Sequence, residues 1–136
     1  MSLFNVLDVS SSALQAQSIR LNTVASNIAN ADAVSSSAEE AYRSRQPVFS
    51  TVMRDAFNDS VAGVRVSEVV TTDAAPVRQF SPEHPMSDED GYVYYSNVNA
   101  VAEMANMISA SRSYQNSVEA MKTARQLLMQ TLNIGR

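Results

Sequence analysis

The sequence predicts a mainly α protein with a small β-rich insert, its long N- and C-terminal helices paired as an antiparallel coiled coil. Three observations carry this expectation. Residues 98–134 contain neither proline nor glycine and hold an apolar repeat, and the first 33 residues hold a similar repeat. All four prolines and two of the three glycines fall between Tyr42 and Tyr95, so the turn-forming residues lie between the two helices.

In the C-terminal segment, Met104, Met107, Ser111, Tyr114, Val118, Met121, Arg125, Leu128 and Leu132 recur at alternating steps of three and four. That spacing lays a seam along one side of a helix, interrupted only by Ser111 and Arg125. In the N-terminal segment the matching series is Leu3, Leu7, Ser10, Leu14, Gln17, Leu21, Val24, Ile28 and Ala31. A repeat of about 3.5 residues held over four heptads suits helices that wind on a partner, whereas a helix lying on a globular core shows a broader apolar face. A fold-back through the middle makes the two helices antiparallel. One register then sets Leu7, Leu14, Leu21 and Ile28 opposite Arg125, Val118, Ser111 and Met104. The same register sets Leu3, Ser10, Gln17 and Val24 opposite Leu128, Met121, Tyr114 and Met107. The chain accordingly divides into an N-terminal helix (1–33), a loop with a small β-rich insert (34–97) and a C-terminal helix (98–136).

The N-terminal segment carries only Asp8, Arg20 and Asp32 as charges. Its positions off the seam are Ser, Ala, Asn, Gln and Thr, groups that approach other protein surfaces without desolvating a full charge. Such a helix is expected to be packed on several sides. Asn30, Ala31 and Asp32 mark its end, because Asn and Asp compete for backbone hydrogen bonds and favour turns. Residues 34–41, VSSSAEEA, are small and polar and predict a loop with no packing duty. Gly63 to Val70, Val77 to Phe80 and Tyr92 to Tyr95 are β-prone runs. Residues 48–58 fit neither period and receive no assignment.

Composition excludes several functional classes. A hydrophobic content of 45% suffices for a core, while a net charge of -4 with scattered basic residues argues against nucleic-acid binding, which needs a basic stripe. No stretch approaches the roughly 18 apolar residues of a membrane span. The first basic residue is Arg20, so a cleavable signal peptide with a charged start is not expected. The absence of cysteine removes disulfides, thiol nucleophiles and thiolate metal sites.

No catalytic, cofactor or metal site is expected either. His84, the lone histidine, sits in a proline-flanked loop without an evident orienting acid or nucleophile. Asp88, Glu89, Asp90 and Gly91 resemble part of a calcium loop, but aligning Gly91 to the loop glycine leaves Met86 at the first ligand position and Asn97 at the last. Asp90-Gly91 is better read as the turn that launches the strand at Tyr92. Three glycines make no phosphate loop, and the abundant serines have no histidine and aspartate arranged beside them. The methionines at helical spacing, Met104, Met107, Met121 and Met129, fit adaptable packing between helices better than a promiscuous groove.

Both ends of the chain resemble one family. The stretch ALQAQSIRLNTVASNIANAD (Ala13 to Asp32) is similar to the signature of rod and hook proteins, through Leu14, Gln17, Arg20, Leu21, Ala25, Asn27, Ile28, Ala29 and Asn30. YRSRQPVF (Tyr42 to Phe49), HPMSDEDGYVYYSNVN (His84 to Asn99) and EMANMISASRSYQNSVEAMKTARQLL (Glu103 to Leu128) extend the likeness. On these motifs the chain resembles the flagellar basal-body rod proteins, and among them those of the proximal rod; Arg112 and Gln115 belong to the matching C-terminal motif. Departures occur at Ala33-Val34, Ser96 and Asn116-Ser117, all near helix boundaries or on the C-terminal helix.

The resemblance implies a non-enzymatic subunit without cofactors. It would polymerise with other axial proteins into a helical tube in the periplasmic rod of the bacterial flagellum, transmitting motor torque around the export channel. It further implies passage through the flagellar type III export apparatus with an uncleaved N-terminal region. The competing expectation is an exported helical adaptor or binding module that grips one partner in one groove.

Overall fold

A computed structural model describes residues 3–54 and 61–135. Helix α1 spans Leu3–Ala29 and stops just before Asn30, Ala31 and Asp32, four residues short of the expected bound at 33. The Asn30 backbone N–H donates to the carbonyls of both Ser26 and Asn27, and the Asn30 side chain adds a 2.8 Å bond to Ser26 O. One asparagine thus places a second donor on the Ser26 carbonyl at the helix end.

Two residues of extended chain follow, β1 (Val34–Ser35), then turns to Ala41. The expectation of a loop without packing duty for 34–41 is corrected on two counts: β1 joins a sheet, and Ala41 is buried. Strand β2 runs Arg45–Arg54 and β3 runs Val61–Thr71; together they form a two-stranded sheet. The unassigned stretch 48–58 is therefore strand as far as Arg54, and its remainder lies outside the described residues. Pro47 lacks a backbone N–H, which an edge strand such as β2 tolerates.

Strands β4 (Val77–Phe80) and β5 (Tyr92–Tyr95) coincide with the β-prone runs. They belong to a separate antiparallel sheet of order β1-β5-β4, with Val34 opposite Tyr95 on one side and Phe80 opposite Tyr92 on the other. Val93, on the central strand, is fully buried. The insert is therefore two small sheets. Gly91 adopts φ +79, the left-handed conformation that the Asp-Gly turn requires, and an added Cβ would lie 3.0 Å from the Phe80 ring.

Helix α2 spans Ala100–Ile134. Asn99 is its N-cap, accepting the Ala102 N–H on its side-chain oxygen at 3.1 Å, which moves the start two residues beyond the expected Val98.

The chain forms two compact units. The first gathers Met1–Leu21, Pro47–Glu68 and Ile108–Arg136. Its buried residues are small: Ala16, Ala110, Ala124 and Ser10. Gly63 of β3 approaches Ser12 of α1 so closely that a Cβ would sit 3.2 Å from the Ser12 hydroxyl, which accepts the Val64 N–H. The second unit gathers Asn22–Gln46 and Val69–Met107. It contains the β1-β5-β4 sheet and buries Val24, Ala41 and Val93 together with Thr23, Asn27, Ser96 and Glu103.

Candidate assembly surface

The helix faces are the candidate functional surface, and their burial differs from the expected seams. On α1, Leu3, Leu7, Leu14, Gln17, Leu21 and Ile28 are half-buried and Ser10 and Val24 buried, but Ala16, Thr23 and Asn27 are buried beside them. The face is broad, the pattern of a helix covered by more than one neighbour.

On α2 the buried residues are Glu103, Ala110 and Ala124, with Ser117 half-buried between them at the same seven-residue spacing. The expected seam is corrected here. Met104 is 54% exposed and Leu132 67%, and Tyr114 and Arg125 are exposed as well. Met107, Val118, Met121 and Leu128 are half-buried. Ser111 is half-buried as well. The buried positions Glu103, Ala110 and Ala124 each lie one residue before Met104, Ser111 and Arg125 of the expected seam. The physical reason is size: alanine and serine let a neighbouring element approach closely, and hydrophobicity alone does not register that advantage. Along the opposite side of α2, Val101 and Ile108 join Met104 as exposed apolar residues.

Within the first unit, Leu3 and Val6 line a common groove with Ala120, Thr123, Ala124 and Leu127. Within the second, the Asn27 amide donates to Glu103 Oε2 at 2.9 Å. The start of α1 thus meets the far part of α2, and its end meets the beginning of α2. Asn27 and Glu103 each precede by one residue a member of the expected Ile28–Met104 layer.

Sequence reasoning did not foresee the polar cluster at this point. Asn27, fully buried, also donates to Arg45 O at 2.8 Å and accepts the Arg45 N–H at 3.0 Å and the Tyr42 hydroxyl at 2.9 Å. Its side chain therefore meets the Arg45 backbone at two points, as a neighbouring strand would. Glu103, 6% exposed, receives a second amide from Asn106 at 3.2 Å. Asn97 fastens the same region, accepting the Ser44 N–H at 2.7 Å and donating to Ala74 O at 2.7 Å. Asn27 was visible as a family-motif residue; its partners Tyr42, Arg45 and Glu103 carry no spacing signal that joins them. Of the other motif residues, Arg20 and Asn30 are half-buried, and Arg112 and Gln115 are exposed.

The acidic loop is structural in form. Asp88 Oδ1 accepts the N–H groups of Tyr92 at 2.7 Å and Asp90 at 3.0 Å, and Oδ2 accepts the Tyr94 hydroxyl at 3.3 Å. The Tyr92 amide above all, then Asp90, Tyr94 and the charge of Arg78, hold the Asp88 carboxyl below its ordinary value against the opposing effect of desolvation. Arg78 stacks 3.6 Å over the Tyr92 ring, which Phe80 meets edge-on at 5.1 Å. Among the described residues no group of three or more His, Cys, Asp and Glu could hold a metal ion, and no helix is long and apolar enough to cross a membrane.

Residues 7–35 match the family model of the flagella basal body rod protein, and residues 89–134 match that of the flagellar basal body rod FlgEFG protein C-terminal. The flagellar basal-body rod protein FlgC of Yersinia enterocolitica is 43% identical over 136 residues, covering 100% of both chains. This chain belongs to the FlgC family of flagellar rod proteins. FlgC of Salmonella typhimurium is 41% identical over 100% of both chains, and FlgC of Buchnera aphidicola subsp. Acyrthosiphon pisum is 40% identical over 99% of each. The FlgC family is one of structural rod proteins, not of enzymes. Both family models fall on the helices and their flanks: the first on α1 and β1, the second on the β5 turn, β5 and α2.

Proposed function

We propose that this chain polymerises with other axial proteins into the proximal rod, a helical tube that transmits motor torque and surrounds the export channel. Its two terminal helices wind as an antiparallel coiled coil. The chain reaches the periplasmic part of the basal body through the flagellar type III apparatus, with its N-terminal region uncleaved. The observation that carries this reading is the identity of 40% or more with FlgC rod proteins over essentially the whole chain.

The burial pattern supports the same reading. Val101, Met104 and Ile108 stay exposed although α2 is a long helix with a buried side, and a subunit with neighbours on several sides needs such uncovered faces. A heterologous contact whose rotation does not close builds an open helical array.

The test is complementation of a strain lacking its own proximal-rod subunit, followed by cryo-microscopy of isolated basal bodies. Restored motility, with density for this chain in the rod, is the expected result. Recovery of the chain only in soluble form, at a fixed low ratio with a single protein, would instead identify an exported adaptor.

A further inference from the structure

We infer that the Asn27–Glu103 pair is a register lock, selecting one axial alignment of α1 against α2 and coupling it to the start of β2. The inference rests on the antiparallel pairing proposed above. The buried α2 positions after Glu103 are Ala110 and Ala124, with Ser117 half-buried between them, all small and repeating every seven residues. Between the helices themselves, a slip of one heptad, about 10 Å, moves small residues onto small residues and is weakly opposed by packing, so that beyond the β1–β5 pairing the alignment depends on polar contacts.

Asn27 breaks that degeneracy. A slip in one direction sets its amide against Ala110, which offers no side-chain acceptor. A slip in the other carries it past the start of α2 at Ala100. Either way a fully buried amide and a nearly buried carboxylate lose each other, and single polar pairs in apolar seams are the best attested devices for fixing register. The coupling to β2 follows from the remaining bonds. The amide that reaches Glu103 also holds both the N–H and the carbonyl of Arg45, while its oxygen receives Tyr42. In the correct register the donors and acceptors of the Asn27 side chain are all engaged.

Because the chain has no cysteine, register can be read by intramolecular thiol cross-linking of the full-length protein with a short bismaleimide. Val6→Cys with Ala124→Cys reports the native alignment, since both residues line one groove. Ala13→Cys with Ala124→Cys reports the alignment slipped by seven. With the lock intact only the first pair should cross-link. In the apolar replacement Asn27→Leu with Glu103→Leu, the second pair should cross-link alongside the first. In the exchange Asn27→Asp with Glu103→Gln, which restores the bond within the pair and keeps the acceptors for the Arg45 N–H and the Tyr42 hydroxyl but gives up the donor to Arg45 O, selectivity for the first pair should rise well above that of the apolar replacement.

Retention of full selectivity by the apolar replacement overturns the lock. Loss of selectivity in the exchange variant overturns it as well, and that variant decides the matter if the apolar one does not fold. If both pairs cross-link with Asn27 and Glu103 intact, the lock fails while the pairing stands. If neither does, the antiparallel pairing itself fails.

Discussion

A buried asparagine must satisfy two N–H groups and two lone pairs, so its value depends on whether all of them find partners. Asn27 succeeds through Arg45, Tyr42 and Glu103, and removing it strands several groups at once. Asn27→Ala should therefore cost about 3 kcal/mol, toward the upper end for buried groups left unpaired. Chemical denaturation of the purified chain measures this, and the Arg45 amide should lose its exchange protection in the same variant. Gln17 is the opposite case. Its side-chain oxygen is buried without a hydrogen-bond partner among the described residues. Gln17→Met keeps the length and removes the unpaired carbonyl, so it should raise stability by about 1 kcal/mol. A decrease of that size would mean that the oxygen is satisfied in solution.

Among the elements, the β4–β5 turn is held by one carboxylate. Asp88 accepts the Tyr92 and Asp90 amides and the Tyr94 hydroxyl only when ionised to full effect, and its pKa is lowered from 3.8 by those bonds. A folded-state pKa below the unfolded value means that the contribution is present above about pH 4 and is lost as pH falls through the folded pKa. Tyrosine fluorescence or amide exchange in β5 should report loosening in that acid range. Asp88→Asn should loosen β5 at neutral pH and flatten the acid dependence.

This turn was only partly legible in sequence. Asp90-Gly91 announced itself because glycine supplies positive φ, whereas Asp88 acts through backbone amides further along the chain, which no local pattern displays. The strands Val77–Phe80 and Tyr92–Tyr95 were legible from β propensity, but the division of the insert into two sheets was not, since pairing between distant strands has no local signal. The helices were legible for the same reason that their seam was misplaced. Apolar periodicity finds a helix and its approximate face, but it favours methionine over alanine, and close packing at Ala110 and Ala124 favours the smaller residue.

For the whole molecule, the rotation of the α2 seam separates two duties that the sequence had merged: holding the chain together and meeting its neighbours. Ala110 is fully buried, so Ala110→Asp introduces an unpaired charge and excess volume into a closed space. It should destabilise the chain by several kcal/mol, comparable to the whole margin of a small domain. Met104 is 54% and Ile108 57% exposed, so Met104→Asp with Ile108→Asp should leave folding within about 1 kcal/mol of the parent. If neighbouring rod subunits cover that face, the same pair of carboxylates becomes buried on assembly and incorporation into the rod should fail. The informative comparison measures each variant twice, once as thermal unfolding of the purified chain and once as motility with recovery in isolated basal bodies. Ala110→Asp should fail both measurements. The Met104 and Ile108 double variant should pass the first and fail the second, and normal swimming in that variant would remove the exposed side of α2 from the assembly surface.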